Sequence, residues 1–199
     1  MWFLRRSASN RGEAMASPKP KTRAETAMTD VDATATMPAA DATSETPTAT
    51  SPVRAADVAK YLLRKSEGGM EQLKLQKLLY FCQAGSLAWL HRPLFDDPIE
   101  AWASGPVVVS LWRNHRYEGF IREIPEGGEL WSEDARTIAD AIYDHYGQLP
   151  PEVLTDLTRE QPWLEARNKD SVAEPGRVLI EPSAMESFYR AKWAPAAAS

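Results

Sequence analysis

Apolar residues recur at helical intervals through most of the chain after residue 53. Val58, Tyr61 and Leu62 are spaced at i, i+3 and i+4, which predicts a first helix. Ser51-Pro52 would begin this helix and Gly68-Gly69 would end it. A longer helix is predicted from about Gln72 to Leu90, with apolar groups on almost every side. A helix of this kind is central and buried.

The long helix has a main stripe and further apolar positions on its other faces. The stripe comprises Leu75, Leu78, Leu79, Cys82, Ser86 and Trp89, and the other positions are Tyr80, Phe81 and Leu87. Lys74 and Lys77 flank the stripe. We expect their flexible stems to carry both ammonium groups to the surface.

Turn residues divide the remainder into short elements. We expect an extended piece at 99–103, a third helix with Pro106 in its first turn and Gly119 at its end, and an irregular segment or small hairpin at 120–131. A fourth helix is capped by Ser132 and ended by Gly147. We predict two further helices, which begin at Pro150-Pro151 and Pro162-Trp163. They are followed by a β-like run at 178–180 and a last helix from Pro182.

The fold class is therefore mainly α, a single compact helical domain over 53–193 with a few short strands. Residues 4–60 contain no Phe, Trp or Tyr, which predicts a disordered tail over 1–52. Translation could also begin at Met28, inside that tail. Residues 194–199 are expected to be a flexible C-terminus.

Charge and cysteine content narrow the class of protein. The formal net charge is −5, and residues 1–52 carry six basic and six acidic side chains, so the excess acid belongs to the folded part. This balance makes nucleic acid an improbable partner. A single cysteine permits no internal disulfide, and no apolar run has the length of a bilayer span. We therefore expect a cytoplasmic protein without a membrane partner.

Candidate chemistry is sparse. His91, His115 and His145 are too far apart in sequence to suggest a zinc site, so no metal or other cofactor is expected. We interpret His91 as a helix-end residue, His115 as partly exposed and His145 as solvated. Cys82 lies within an apolar stripe and is interpreted as core rather than as a nucleophile. No phosphate-binding or nucleophile motif is present, and the chain is not expected to be an enzyme.

Five segments together resemble the Panacea domain, the SocA-like antitoxin family of toxin–antitoxin systems. They are KLQKLLYF at 74–81, the turn at 93–95, AWASGPV at 101–107, Tyr146-Gly147 and LTREQPW at 157–163. The resemblance spans roughly residues 54–193. Where family members often have a histidine after the LT pair, this chain has Arg159.

The resemblance implies a mostly helical bacterial or phage-associated antitoxin that neutralises a cognate, neighbour-encoded protein toxin by direct contact. It could instead present the toxin to a protease. A helical DNA-binding regulator is the alternative function. The family-motif positions, interpreted as structural, are Lys74, Leu75, Lys77, Leu78, Leu79, Tyr80, Trp102, Gly105, Pro106, Val107, Pro162 and Trp163.

A short segment after the GPV turn is the candidate partner-binding surface. It contains Trp112, Arg113, Arg116 and Tyr117, residue types that commonly anchor protein interfaces. Arg113, Arg116 and Arg122 would form the basic patch that the DNA-binding alternative needs.

Overall fold

The computed structural model describes residues 53–169 and 178–194 of the 199-residue chain. Within them are seven helices and four short strands. The helices are α1 (Ala55–Lys65), α2 (Gln72–Leu90), α3 (Val109–His115), α4 (Glu133–Tyr146), α5 (Pro151–Thr158), α6 (Gln161–Lys169) and α7 (Pro182–Lys192). The strands are β1 (Met70–Glu71), β2 (Ile99–Trp102), β3 (Gly105–Val108) and β4 (Phe120–Ile121). This confirms the mainly α class.

Helix α2 is the centre of the domain, as its sequence predicts. It packs against α1, α4, α5, α7 and β3. Its residues from Leu75 to Ala88 are all buried. Because neighbours surround it, the helix needs apolar groups on every face rather than one stripe.

An aromatic cluster fills the space between α2, α4 and α7. The rings of Phe81 and Tyr146 stack with their centroids 4.3 Å apart. Tyr189 contacts the Phe81 ring edge-on at 6.2 Å and lies 4.6 Å from Trp193. These large rings bury much of the apolar surface on which the fold depends.

The strands form two small antiparallel sheets. Strand β1 pairs with β4, so Phe120 and Ile121 join the segment before α2 rather than a local hairpin. Strand β2 pairs with β3 through the two-residue turn Ala103-Ser104. The predicted β-like run is present as an isolated bridge between Glu100 and Leu179.

The predicted position of Pro106 in a helix is wrong. Pro106 lies in β3 opposite Ala101, and α3 begins only at Val109. The N–H of Ala101 points away from β3 and donates to Val178 O at 2.8 Å. The pair Ala101–Pro106 therefore requires no N–H from residue 106, and proline is tolerated there.

Helix boundaries differ elsewhere by a few residues. Helix α1 begins at Ala55 rather than at Pro52, with the Asp57 carboxylate accepting the N–H of Arg54 at 3.1 Å. Helix α3 ends at His115, before Gly119. Ser132 caps α4 as predicted, accepting the N–H of Ala135 at 3.3 Å. The predicted tail and all but residue 194 of the predicted C-terminus lie outside the described residues.

Candidate functional site

The family-motif segments meet at one end of the domain. Helix α2 contributes Lys77, the β2–β3 hairpin contributes Trp102 to Val107, and the α5–α6 junction contributes Thr158 to Trp163. The hairpin lies between the two helical segments, because β3 packs on both α2 and α5. The remaining motif side chains of α2 belong to the core: Leu75, Leu78, Leu79 and Tyr80 are fully buried, and Lys74 is half-buried.

The prediction that Lys77 reaches the surface is wrong. Its residue exposure is 0%. The ammonium Nζ donates to the carbonyl oxygen of Pro106 at 3.0 Å. Burial, with a smaller contribution from the positive charge of Arg159, lowers the pKa of Lys77 to about 7. The lysine is thus a tether between α2 and the hairpin, because β3 covers the stem that would otherwise extend to solvent.

Gly105 makes room for this lysine. Its φ is 94°, in the left-handed region that side chains disfavour. A Cβ at this position would lie 2.9 Å from Lys77 Nζ and 3.3 Å from Thr158 Oγ1. The absence of a side chain therefore permits both the tight hairpin turn and the close approach of α2 and α5.

Gln76 is a structural residue that sequence reasoning missed. Its side-chain oxygen accepts the N–H of Val108 at 2.7 Å, at the end of β3. Gln83 acts similarly about two turns later, where its Oε1 accepts the N–H groups of Leu94 and Phe95. The available signal was two amides within the mostly apolar part of α2 from Leu75 to Ala88, since buried polar groups need partners.

The α5–α6 junction holds the hairpin from its other side. The indole N–H of Trp163 donates to Trp102 O at 2.9 Å. Arg159 Nη2 donates to Ala103 O at 2.5 Å, and its guanidinium lies 5.8 Å from the Trp163 ring centroid. Pro162 is buried beside them. In this chain Arg159 therefore holds the hairpin turn in place through its hydrogen bond to Ala103 O.

Helix α3 connects the hairpin with the predicted partner surface. Trp112 is half-buried, and its ring lies 4.7 Å from that of Trp102 at an interplanar angle of 67°. Arg113, the next residue, is exposed. Trp112 is therefore partly a packing residue, while Arg113 presents its charge to solvent.

Arg116 and Tyr117 lie just beyond the helix rather than on it. Arg116 is the C-terminal cap of α3, and Tyr117 is 86% exposed. The Arg116 guanidinium stacks over the Tyr117 ring at 4.7 Å. Arg122 lies similarly over Phe120, 5.1 Å from the ring centroid, and Phe120 is itself exposed. The structure thus adds Phe120 to the exposed aromatic groups near this surface.

His115 anchors this exposed turn, and the prediction that it is partly exposed is wrong. It is 5% exposed. Its Nδ1 lies 3.0 Å from a Glu118 carboxylate oxygen, and its Nε2 lies 3.0 Å from one of Glu126. Its backbone oxygen accepts a hydrogen bond from Gln72 Nε2 at 3.0 Å. The turn carrying Arg116 and Tyr117 therefore has a fixed base.

The other residues considered for chemistry have structural positions. Cys82 is fully buried, and burial raises the pKa of its thiol. His91 caps α2 with a φ of 55°, as a helix-end residue. His145 is half-buried rather than solvated, with its ring 4.5 Å from that of Tyr146. In residues 53–169 and 178–194, no group of three potential ligands is arranged to hold a metal ion.

No helix among the described residues has the length and apolar character needed to cross a membrane. No curated protein and no solved structure is significantly similar to the chain. Residues 75–164 match the family model described as antitoxin SocA-like, Panacea domain. This range begins in α2 beside Lys77 and ends in α6 beside Trp163, so it includes all three segments that meet at the hairpin. The predicted resemblance is therefore confirmed over these residues, where the chain is similar to the antitoxin SocA-like, Panacea domain.

Proposed function

We propose that this protein is a cytoplasmic antitoxin that neutralises a cognate protein toxin by binding it directly. The family match over residues 75–164 carries the proposal. Neutralisation would be stoichiometric: the antitoxin covers the toxin's working surface and needs no turnover chemistry. Presentation of the bound toxin to a protease is compatible with the same contact.

The surface proposed for this contact comprises Trp112, Arg113, Arg116 and Tyr117. The exposure of Arg113 and Tyr117, and the stacking of Arg116 on Tyr117, support it. Exposed aromatic and arginine side chains supply much of the energy of protein interfaces. The His115 contacts support it further, because a turn held in place loses less conformational entropy when it binds.

Co-expression of the chain with the product of the neighbouring reading frame tests the function. We expect the wild-type chain to rescue growth and to co-purify with that product. Arg116→Ala and Arg113→Ala should keep the fold, since exposed substitutions change stability little. Their combination should weaken partner binding by about 2 kcal/mol or more, as hot-spot residues do.

Arg190→Ala is the matched control, because Arg190 is an exposed arginine on α7. It should rescue growth as the wild type does. Full rescue by the double arginine variant would reject this surface and leave the antitoxin function standing. A wild-type chain that neither rescues growth nor binds the neighbouring product would reject the function itself.

A further inference from the structure

Three tryptophans are grouped at the hairpin, linked to one another through Trp102. Trp112 contacts Trp102 ring to ring, and Trp163 donates its indole N–H to Trp102 O. All three are half-buried, so each is packed in part and accessible to solvent in part. We call these rings, with Arg113 and Arg159, the hairpin surface.

The charge of the hairpin surface is positive although the whole chain is acidic. Arg159 has a side chain 38% exposed, and its nearest carboxylate oxygen, from Asp156, is 3.9 Å from Nη1 on a side chain that is 82% exposed. A pair so exposed and so long compensates little charge. Beneath it, Lys77 makes no ion pair with any described residue and has the guanidinium of Arg159 as its charged neighbour.

Among the described residues, two acids near the hairpin are already engaged. Glu160, next to Arg159, accepts hydrogen bonds from Lys192 Nζ at 2.5 Å. Glu100 is buried, and its Oε2 accepts the indole N–H of Trp102 at 2.7 Å. Arg159 Nη2 is directed to Ala103 O, whereas Nη1 lies 3.9 Å from the Asp156 carboxylate, which is too far for a hydrogen bond. The guanidinium therefore retains both charge and donor capacity for a further acceptor.

We propose that the hairpin surface receives an acidic segment of the protein partner. A partner carboxylate would pair with Arg159, and an apolar side chain next to it would pack on Trp102 and Trp112. Tryptophan and arginine side chains in contact, with charge unbalanced on one side, fit a partner of opposite charge. This inference rests on the proposed function and extends its contact from α3 across the hairpin to α6.

The test measures the affinity of the full chain for the co-expressed product of the neighbouring reading frame, at low and high salt. Arg159→Gln should weaken binding at least tenfold and reduce its salt dependence. Arg159→Lys, which keeps the charge and one donor to Ala103 O, should recover part of the loss. Asp156→Asn removes an exposed negative charge that would repel an acidic segment, and it should strengthen binding slightly, which loss of structure would not do.

Arg136→Gln is the matched control, because Arg136 Nη1 also donates to a backbone carbonyl, Leu130 O at 3.2 Å, away from the hairpin. It should bind as the wild type. Equal weakening by Arg159→Gln and Arg136→Gln, or wild-type binding by Arg159→Gln, would overturn the inference while the antitoxin function stands. If the wild type binds no neighbouring product, both fail. Retention of duplex DNA through Arg159 in that case would favour a nucleic-acid partner.

Discussion

Helix α2 passes through two regions that differ in what holds them together. Leu78, Leu79 and Phe81 belong to the hydrophobic core, where the contacts are those of packed aliphatic and aromatic side chains. Around Lys77 and Gln76 the same helix meets the backbone of β3 through hydrogen bonds. The two regions are one residue apart in sequence because successive side chains of a helix point in different directions.

The difference separates stability from positioning. Apolar packing is lost in proportion to the volume removed, so the core should be sensitive to truncation. The hydrogen bonds to β3 fix where the hairpin lies, and with it Trp102 and the surface beside α3. The strength of these hydrogen bonds depends on the protonation of Lys77 and on the backbone conformation at Gly105. We therefore expect the hairpin to be sensitive to pH and to the addition of a single methyl group at Gly105.

Truncation of the apolar region should have the largest effect. Leu78→Ala is expected to lower the free energy of unfolding by about 2–5 kcal/mol, because it leaves a cavity in a fully enclosed site. Chemical denaturation measures the change. Leu164→Ala, at a leucine that is 43% exposed, is the control and should cost far less. Equal losses at the two positions would remove the distinction between core and periphery.

Protonation of Lys77 should give the next largest effect. Its folded-state pKa is about 7, while an unperturbed lysine has a pKa of about 10.4. Between these values the unfolded chain binds more protons than the folded chain, so stability rises with pH. The rise between about pH 7 and pH 9 should be about 2 kcal/mol.

Lys77→Met provides the comparison, because it removes the titrating group and keeps an unbranched stem. The difference in unfolding free energy between wild type and variant should change across this pH range. Cys82, whose thiol pKa is raised by burial, opposes the rise in both proteins and cancels in the difference. Parallel pH curves for the two proteins would show that Lys77 is not held as the structure has it.

A methyl group on the hairpin turn should have a smaller effect. Gly105→Ala is expected to cost at least about 1 kcal/mol, because alanine is strained at positive φ and its Cβ meets Lys77 Nζ. Gly119→Ala is the control, since a Cβ there meets no atom within 4 Å and the φ is not positive. Thermal unfolding of both variants tests the point, and similar melting temperatures would contradict it.

The exposed turn beyond α3 should contribute least to stability. Tyr117→Ala removes a side chain that is 86% exposed, and the unfolding free energy should stay within about 0.5 kcal/mol of wild type. The control is His115→Ala, which removes both carboxylate contacts at the base of the turn and should cost more. If Tyr117→Ala were the costlier change, this turn would be part of the packed structure rather than a surface.

Much of the secondary structure follows from local patterns. The bounds of α2 agree with its apolar run, and α4 has the cap and the end that Ser132 and Gly147 predict. The start of the third helix was wrong because proline is common in the first turn of a helix, whereas Gly-Pro also marks turns. Only pairing with β2 distinguishes these settings, and that pairing depends on residues brought together by the chain's path.

The sequence by itself determined that α2 is central, that the class is mainly α and that the motif segments occur in a fixed order. These are properties of spacing and residue type, which act locally. Tertiary structure decided that Lys77 is buried, that Gly105 accommodates it and that Arg159 holds the hairpin turn. Such roles depend on which backbone carbonyl or ring lies within a few ångströms, and the pattern of apolar and polar positions does not specify those distances.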